Sequence, residues 1–398
     1  MDLSLDRIVT GNTPQTRPEN RAFYPALDGL RAVAFLLVFL QHYVGVPWGW
    51  TGVDFFFVLS GFLITGILFD TRNDPHRVRN FYVRRTLRIF PLYYAVMLGI
   101  LLLDPIFRWQ LDWKWLAWPA YLGNYLRFLS PGVLIPGSAW QRLADFQPTT
   151  SIAAHPHLSL YFGHFWSLCV EEQFYLFWPW LVFWIRDRRT LLWICALTLP
   201  VCLALRIAAQ HHLPLWMLDE EILYRATPFR LDALLLGGLL ALLLRGPFAA
   251  RLLRYARLLS PLLIAVILYW LYFIYTYYYL APRYPSWRLT YGLTLIDLIG
   301  GLVILAAIQP HTMVYRVLSM RPLRWMGRVS YGAYILHDIP HFAYSGFAVR
   351  LMPLHTEVVT PVLGFVSTLC LAWLSYRYLE TPFLNLKARW TAGTVEKT

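Results

Sequence analysis

The chain has 398 residues, 58% of them hydrophobic and 14% charged, with a formal net charge of +13. A charged share so far below the roughly 25% of soluble domains excludes an ordinary water-soluble enzyme and points to an all-α integral membrane protein. The basic residues are dispersed over loops and both tails, so topology and anionic lipid explain the charge and nucleic-acid binding is not required.

Residues 1–26 form a polar lead without a cleavable signal peptide, read as a cytoplasmic tail. Stretches long and apolar enough to span lie at 27–46, 52–70, 91–103 (extended backward by 81–90), 164–185, 190–209, 229–244, 258–280, 290–309, 329–350 and 358–380. The stretch 113–129 contains Lys114, Pro119, Gly123, Asn124 and Arg127, and is expected to be re-entrant or interfacial. About ten transmembrane helices in one domain over 27–385 follow, with 386–398 as a second tail.

The segments 1–26, 71–90, 186–189, 245–257, 310–328 and 381–398 carry 23 Lys and Arg, against 7 on the opposite side, over nearly equal lengths. The positive-inside rule places both termini in the cytoplasm. The 18 Trp and 25 Tyr suit aromatic belts at two interfaces. Cys169, Cys195, Cys202 and Cys370 all lie in apolar segments without Cys/His ligand spacing, so neither a disulfide framework nor a metal site is indicated. No GxGxxG, P-loop, HExxH or GxSxG motif occurs, and no internal repeat of the transporter kind.

The first span reads LDGLRAVAFLLVFLQH from Leu27 to His42. A charge at the bilayer centre costs about 2.5–3.5 kcal/mol on insertion scales, so the acid, arginine and histidine in it call for a reason. Eleven residues at about 100° each bring Arg31 and His42 within about 20° of one another, with Asp28 about 60° from Arg31 and roughly 16 Å of helix axis between Arg31 and His42. The helix is read as one wall of a polar channel. Its residues alone allow His42 to be a packed neutral imidazole, a general base or an acyl-accepting nucleophile.

The other polar groups sort into two tiers. His42, Asp54, His164, Glu171, Glu172, Arg230 and Asp232 lie toward the outer side. Asp28, Arg31, Arg84, Arg85, Arg88 and Arg328 lie toward the inner side, with His337 and Asp297 near mid-depth. Glu172, Glu171 or Asp54, with Glu172 first among them, is expected to bond His42 and fix its tautomer. Asp54 also suits a helix N-cap, and His164 an interfacial position. His164, Arg230 and Asp232 are candidates for acceptor binding. Arg85 and Arg88 share a helix face; with Arg31, Arg328 and Asp28 they suit an anion clamp, although simple positive-inside anchoring also explains basic residues there.

Seven segments together resemble the acyltransferase-3 family of integral membrane acyltransferases, which O-acetylate bacterial cell-surface glycans. They are LDGLRAVAFLLVFLQH (27–42), GVDFFFVLSGFLI (52–64), FYVRRTLRIFPLYY (81–94), HFWSLCVEEQFYLFWPWL (164–181), FRLDALLLGGLLA (229–241), MGRVSYGAYILH (326–337) and YRYLETPF (376–383). The resemblance covers about 25–385. It implies ten spans in the bacterial inner membrane and an acyl-CoA donor, usually acetyl-CoA, used as substrate with no permanently bound cofactor. It further implies a carbohydrate or glycan acceptor on the far side, a catalytic His42, and important roles for Arg31, Arg85 and Arg88. The SGNH-type extension of some members is not expected here, so acceptor recognition would fall to the loops, chiefly 104–163, or to a partner. A transporter or flippase of a glycan precursor is the alternative that residues alone leave open.

Overall fold

The computed structural model describes residues 24–107, 111, 113–126, 163–214, 222–280, 286–339 and 355–391. Among them the regular structure is entirely helical, with no strand. The helices are α1 (Pro25–Val44), α2 (Thr51–Asp70), α3 (Arg77–Phe107), α4 (Trp166–Ile185), α5 (Arg188–His212), α6 (Ile222–Arg225), α7 (Leu231–Leu243), α8 (Ala249–Leu280), α9 (Tyr291–Ala307), α10 (Met313–Leu318), α11 (Arg321–Leu336), α12 (Thr356–Leu374) and α13 (Thr381–Trp390).

Among the described residues, five helices are long and apolar enough to cross a bilayer: Pro25–Val44, Thr51–Asp70, Arg77–Ile106, Arg188–His212 and Thr356–Lys387. The apolar α7 and α9 are shorter. Outward-facing side chains such as Leu102, Ile106, Phe177, Trp184 and Trp193 are exposed, a surface that hydrocarbon tails satisfy and water does not. The described residues are those of an all-helical membrane protein.

Without a hydrophobic force between helices in lipid, close packing needs small residues at the crossings. Gly61 of α2 lies against the backbone of Leu234 in α7, and Gly237 of α7 lies against the backbone of Val58 in α2. A Cβ on either would strike main chain. The same device joins α1 to the α10–α11 region: Gly29 meets the carbonyl of Leu318, and Gly327 of α11 meets the carbonyl of Asp28. These contacts set α1 and α11 side by side and parallel, so their distal ends, His42 and His337, arrive together.

Helix α1 stops just beyond His42. Gly45 is left-handed at φ 74, its N–H bonds the Gln41 carbonyl at 3.1 Å, and the Val46 N–H bonds the Leu40 carbonyl at 3.2 Å. This double closure satisfies orphan carbonyls and needs a residue without a Cβ. His42 therefore stands in the last turn, where the chain swings into α2.

The stretch 113–129, expected to be re-entrant or interfacial, contains no long helix in its described part. Its described part folds as two 3₁₀ turns, Trp113–Ala117 and Gly123–Tyr125. Tyr121 stacks on Tyr93 of α3 at 4.5 Å between centroids, and the Tyr93 hydroxyl donates to the Trp118 carbonyl at 2.7 Å. Asn124 donates to Thr227 at 3.1 Å, and Gln173 donates to Asn124 at 3.0 Å, tying the turns to α4. Residues 127–129 of that stretch, most of the 104–163 loop and both tails, 1–23 and 392–398, lie outside the described residues.

Candidate functional site: a basic cavity beside a histidine cluster

A cavity of about 340 Å³ lies among α1, α2, α3, α4, α11 and α13. Arg31, Arg84, Arg85, Arg88 and Lys387 line it, against two carboxylates, Glu171 and Glu172. Such an excess of cations in a cleft with apolar walls attracts anions, because the low dielectric leaves the charges weakly screened. The Arg85 guanidinium carbon sits 3.7 Å from the Tyr175 ring centroid, so the guanidinium lies over that ring. Arg31 is held by Asp28 at 2.6 Å. The Ser60 and Tyr175 hydroxyls, also on the wall, are hydrogen-bonded to each other.

Toward the start of α4 and the end of α11 the cavity reaches Ser167 and Tyr334, whose hydroxyls are 2.5 Å apart. Tyr334 also borders the next group of residues. Its ring is 5.4 Å from that of His164 and 5.8 Å from that of His337, between centroids. Its hydroxyl donates to the His164 carbonyl at 3.1 Å.

Beyond that tyrosine, three imidazoles and a carboxylate converge. His42 Nδ1 is 3.1 Å from His337 Nε2 and 3.1 Å from Asp338 Oδ2. His164 Nδ1 is 3.7 Å from the same Asp338 oxygen. The backbone assigns the tautomers. His337 Nδ1 faces the Tyr334 carbonyl at 2.7 Å and His164 Nε2 faces the Ile335 carbonyl at 3.3 Å; a carbonyl only accepts, so each of those nitrogens carries the proton. His337 Nε2 is then a lone pair, and the hydrogen bond to it must come from His42 Nδ1–H. His42 Nε2 is left as the basic nitrogen, with the charge of Asp338 beside the ring to stabilise an imidazolium.

The expected partner of His42 is thus corrected. The carboxylate placed at its Nδ1 is Asp338, not Glu172, Glu171 or Asp54. Glu171 and Glu172 line the cavity with Arg85, and Asp54 is ion-paired with Arg230. Asp54 does not cap its helix either; Trp50 holds that position. His164 joins the histidine cluster rather than an interfacial surface.

Two groups of candidates lie elsewhere. Arg230 and Asp232 are fully buried at 0% and 1% exposure, away from the cavity lining. Arg206 donates to Asp232 at 2.6 Å and to the Phe229 carbonyl at 2.6 Å, while Thr294 bonds Asp232 at 3.3 Å. Each candidate is ion-paired with a second buried charge in the helix core, Arg230 with Asp54 and Asp232 with Arg206. Arg328 is exposed on α11 and is not among the cavity residues, so the basic set is Arg31, Arg84, Arg85, Arg88 and Lys387 instead.

Reading the sequence missed Asp338, Lys387, Ser167, Tyr334 and Arg206. Arg206 carries the same signal as Arg31, a cation within an apolar segment. The signal for Asp338 is its place directly after His337.

Known proteins resemble this chain over most of its length. A family model described as an acyltransferase domain matches residues 24–377. The chain is 28% identical over 393 residues to the peptidoglycan O-acetyltransferase OatA of Listeria monocytogenes, covering 92% of this chain and 57% of that one. It is 26% identical over 373 residues to the O-acetyltransferase OatA of Staphylococcus aureus, covering 90% and 57%. The chain thus spans somewhat more than half the length of these curated relatives. No solved structure matches it. The matched region holds nearly all the described helices, the basic cavity apart from Lys387, and the histidine cluster with it: the chain belongs to the acyltransferase-3 family and carries its acyltransferase domain.

Proposed function

We propose that the protein is a membrane O-acetyltransferase that moves an acyl group, normally acetyl, from cytoplasmic acyl-CoA to a hydroxyl of an extracytoplasmic cell-wall glycan. One observation carries this reading: a cation-lined cavity ends at Tyr334 and Ser167, and the histidine cluster built around His42 borders that same tyrosine. The arginines suit the phosphates of a CoA nucleotide, since guanidinium forks bind phosphate bidentately. The roughly 16 Å of helix between Arg31 and His42 suits the reach of a pantetheine arm. Because the Listeria relative is a peptidoglycan O-acetyltransferase, peptidoglycan is the first acceptor to test.

In the proposed step, His42 Nε2 takes the proton of the acceptor hydroxyl as its oxygen attacks the thioester carbonyl. The carbon–sulfur bond breaks, the new ester keeps the acyl group, and the departing thiolate takes a proton from the imidazolium. His42 Nδ1–H, fixed by His337, holds the ring in the correct tautomer, and Asp338 stabilises its charged form. The topology that serves this is ten spans in the bacterial cell membrane, with both termini in the cytoplasm.

The test is radiolabelled acetyl-CoA supplied inside proteoliposomes of the purified protein, with muropeptide glycan outside. Label appearing in alkali-labile ester on the glycan supports the proposal. A protein that carries glycan across the bilayer without consuming thioester would instead support a flippase.

A further inference from the structure

Three nitrogen atoms and one carboxylate oxygen face each other at the His42 cluster: His42 Nδ1, His337 Nε2, His164 Nδ1 and Asp338 Oδ2. The ligand atoms of His42, His337 and Asp338 all lie within 4.8 Å of one another. The tautomers argued above make His337 Nε2 and His164 Nδ1 lone pairs and Asp338 an acceptor, with a single proton, on His42 Nδ1, among them. His164 Nδ1 is buried and has no hydrogen-bond partner within reach. Lone pairs converging this closely repel one another, and the group that best satisfies them is a cation at their centre.

The spacing selects the cation. Ligand atoms about 2.0–2.2 Å from a tetrahedral Zn²⁺ stand about 3.4 Å apart. The two 3.1 Å separations within the His42, His337 and Asp338 set lie near that value, and His164 Nδ1, outside that set but 3.7 Å from Asp338 Oδ2, would move inward to complete the shell. Two of the rings already donate their other N–H to backbone carbonyls, Tyr334 and Ile335, which is how metal-binding histidines are oriented. The donor set, three imidazoles and one carboxylate, suits a borderline divalent ion and not calcium or magnesium. The His42 side chain is 22% exposed, so an ion has a way in.

We infer that His42, His164, His337 and Asp338 form a binding site for Zn²⁺ or a similar divalent transition ion, and that its occupation switches the enzyme off. Coordination at His42 Nδ1 requires the other tautomer. The imidazole stays neutral, the proton leaves Nδ1 for Nε2, and the lone pair that would take the acceptor's proton is lost. The inhibitory half of this inference rests on the proposed role of His42; the metal site itself does not.

The test uses the full-length purified protein in lipid nanodiscs, freed of metal with a chelator. After Zn²⁺ addition and gel filtration, elemental analysis should give one zinc per chain. His164→Gln and Asp338→Asn should each weaken binding about tenfold or more. Because misfolding of those variants would also weaken binding, wild-type protein is loaded with Co²⁺ as well, where intense visible d–d bands of a tetrahedral site are expected. Substoichiometric zinc together with absent tetrahedral bands would overturn the site. Acetyl transfer by the chelator-treated protein should fall as Zn²⁺ is added, with its midpoint at the measured Kd. Transfer abolished by the chelator and restored by zinc would overturn the inhibitory role. Stoichiometric zinc in a protein that transfers nothing in any state counts against the acyltransferase reading and supports the site.

Discussion

The guanidinium of Arg85 lies over the ring of Tyr175 at 3.7 Å, which couples the third helix to the fourth across the cavity floor. Lysine keeps the charge but neither stacks as a plane nor forks toward two oxygens. Arg85→Lys, and likewise Arg88→Lys, should raise the KM for acetyl-CoA about tenfold with little change in the amount of protein inserted, since topology counts charge alone. Steady-state kinetics on the purified variants check this; an unchanged KM would return both arginines to simple anchoring.

His42→Ala should abolish acetyl transfer while leaving insertion and gel-filtration behaviour intact, because the side chain is partly exposed at a helix end and little packing is lost. Asp338→Asn should retain the shape and lose roughly 10²-fold in kcat with a smaller change in KM, as expected of a group that stabilises a developing imidazolium. The kcat against KM split separates this from a folding defect.

The Asp54–Arg230 ion pair is fully buried between α2 and α7. Removing one partner leaves the other as an uncompensated charge, a loss of about 3–5 kcal/mol, whereas replacing both by apolar groups of similar volume costs far less. Thermal unfolding of Asp54→Leu, Arg230→Met and the double variant should therefore show strong non-additivity, with the double variant the most stable of the three.

Gly327→Ala should be harmful out of proportion to one methyl group. Its Cβ would strike the Asp28 carbonyl, so α11 must move away from α1. A lower unfolding temperature and reduced kcat are expected together, because the same shift draws His337 from His42. Gly99→Ala, at a position with open space around it, is the control that should change neither.

Much of this was legible in the chain itself. The Arg31–His42 stripe, the Arg85/Arg88 face and the family motifs are local patterns, and periodicity reads local patterns well. The partners of those groups were not, since they come from helices far apart in sequence. Asp338 reaches His42 across 296 positions through the α1–α11 glycine contacts, and no spacing rule sees that. Glu172 looked a better partner because it is a carboxylate at similar depth, but depth alone fixes neither azimuth nor neighbour. Arg230 and Asp232 looked functional because charge in a span usually is; here each is matched by a second buried charge, Asp54 and Arg206, and together they hold the helices in register.

The hydroxyl pair of Ser167 and Tyr334 stands between the cavity and the imidazoles, and this separation has an energetic meaning. Under the proposed function, a thioester stored beside a general base that water can reach would be hydrolysed, and each such event would discard a high-energy bond. In the proposed reaction, a wall one side chain thick would let an acyl-CoA donor wait fully loaded on one side of the membrane while His42 stays hydrated on the other. Opening that wall only as an acceptor arrives would let one thin layer of protein act as insulation between two aqueous compartments, and would tie the consumption of each donor to the modification of one sugar.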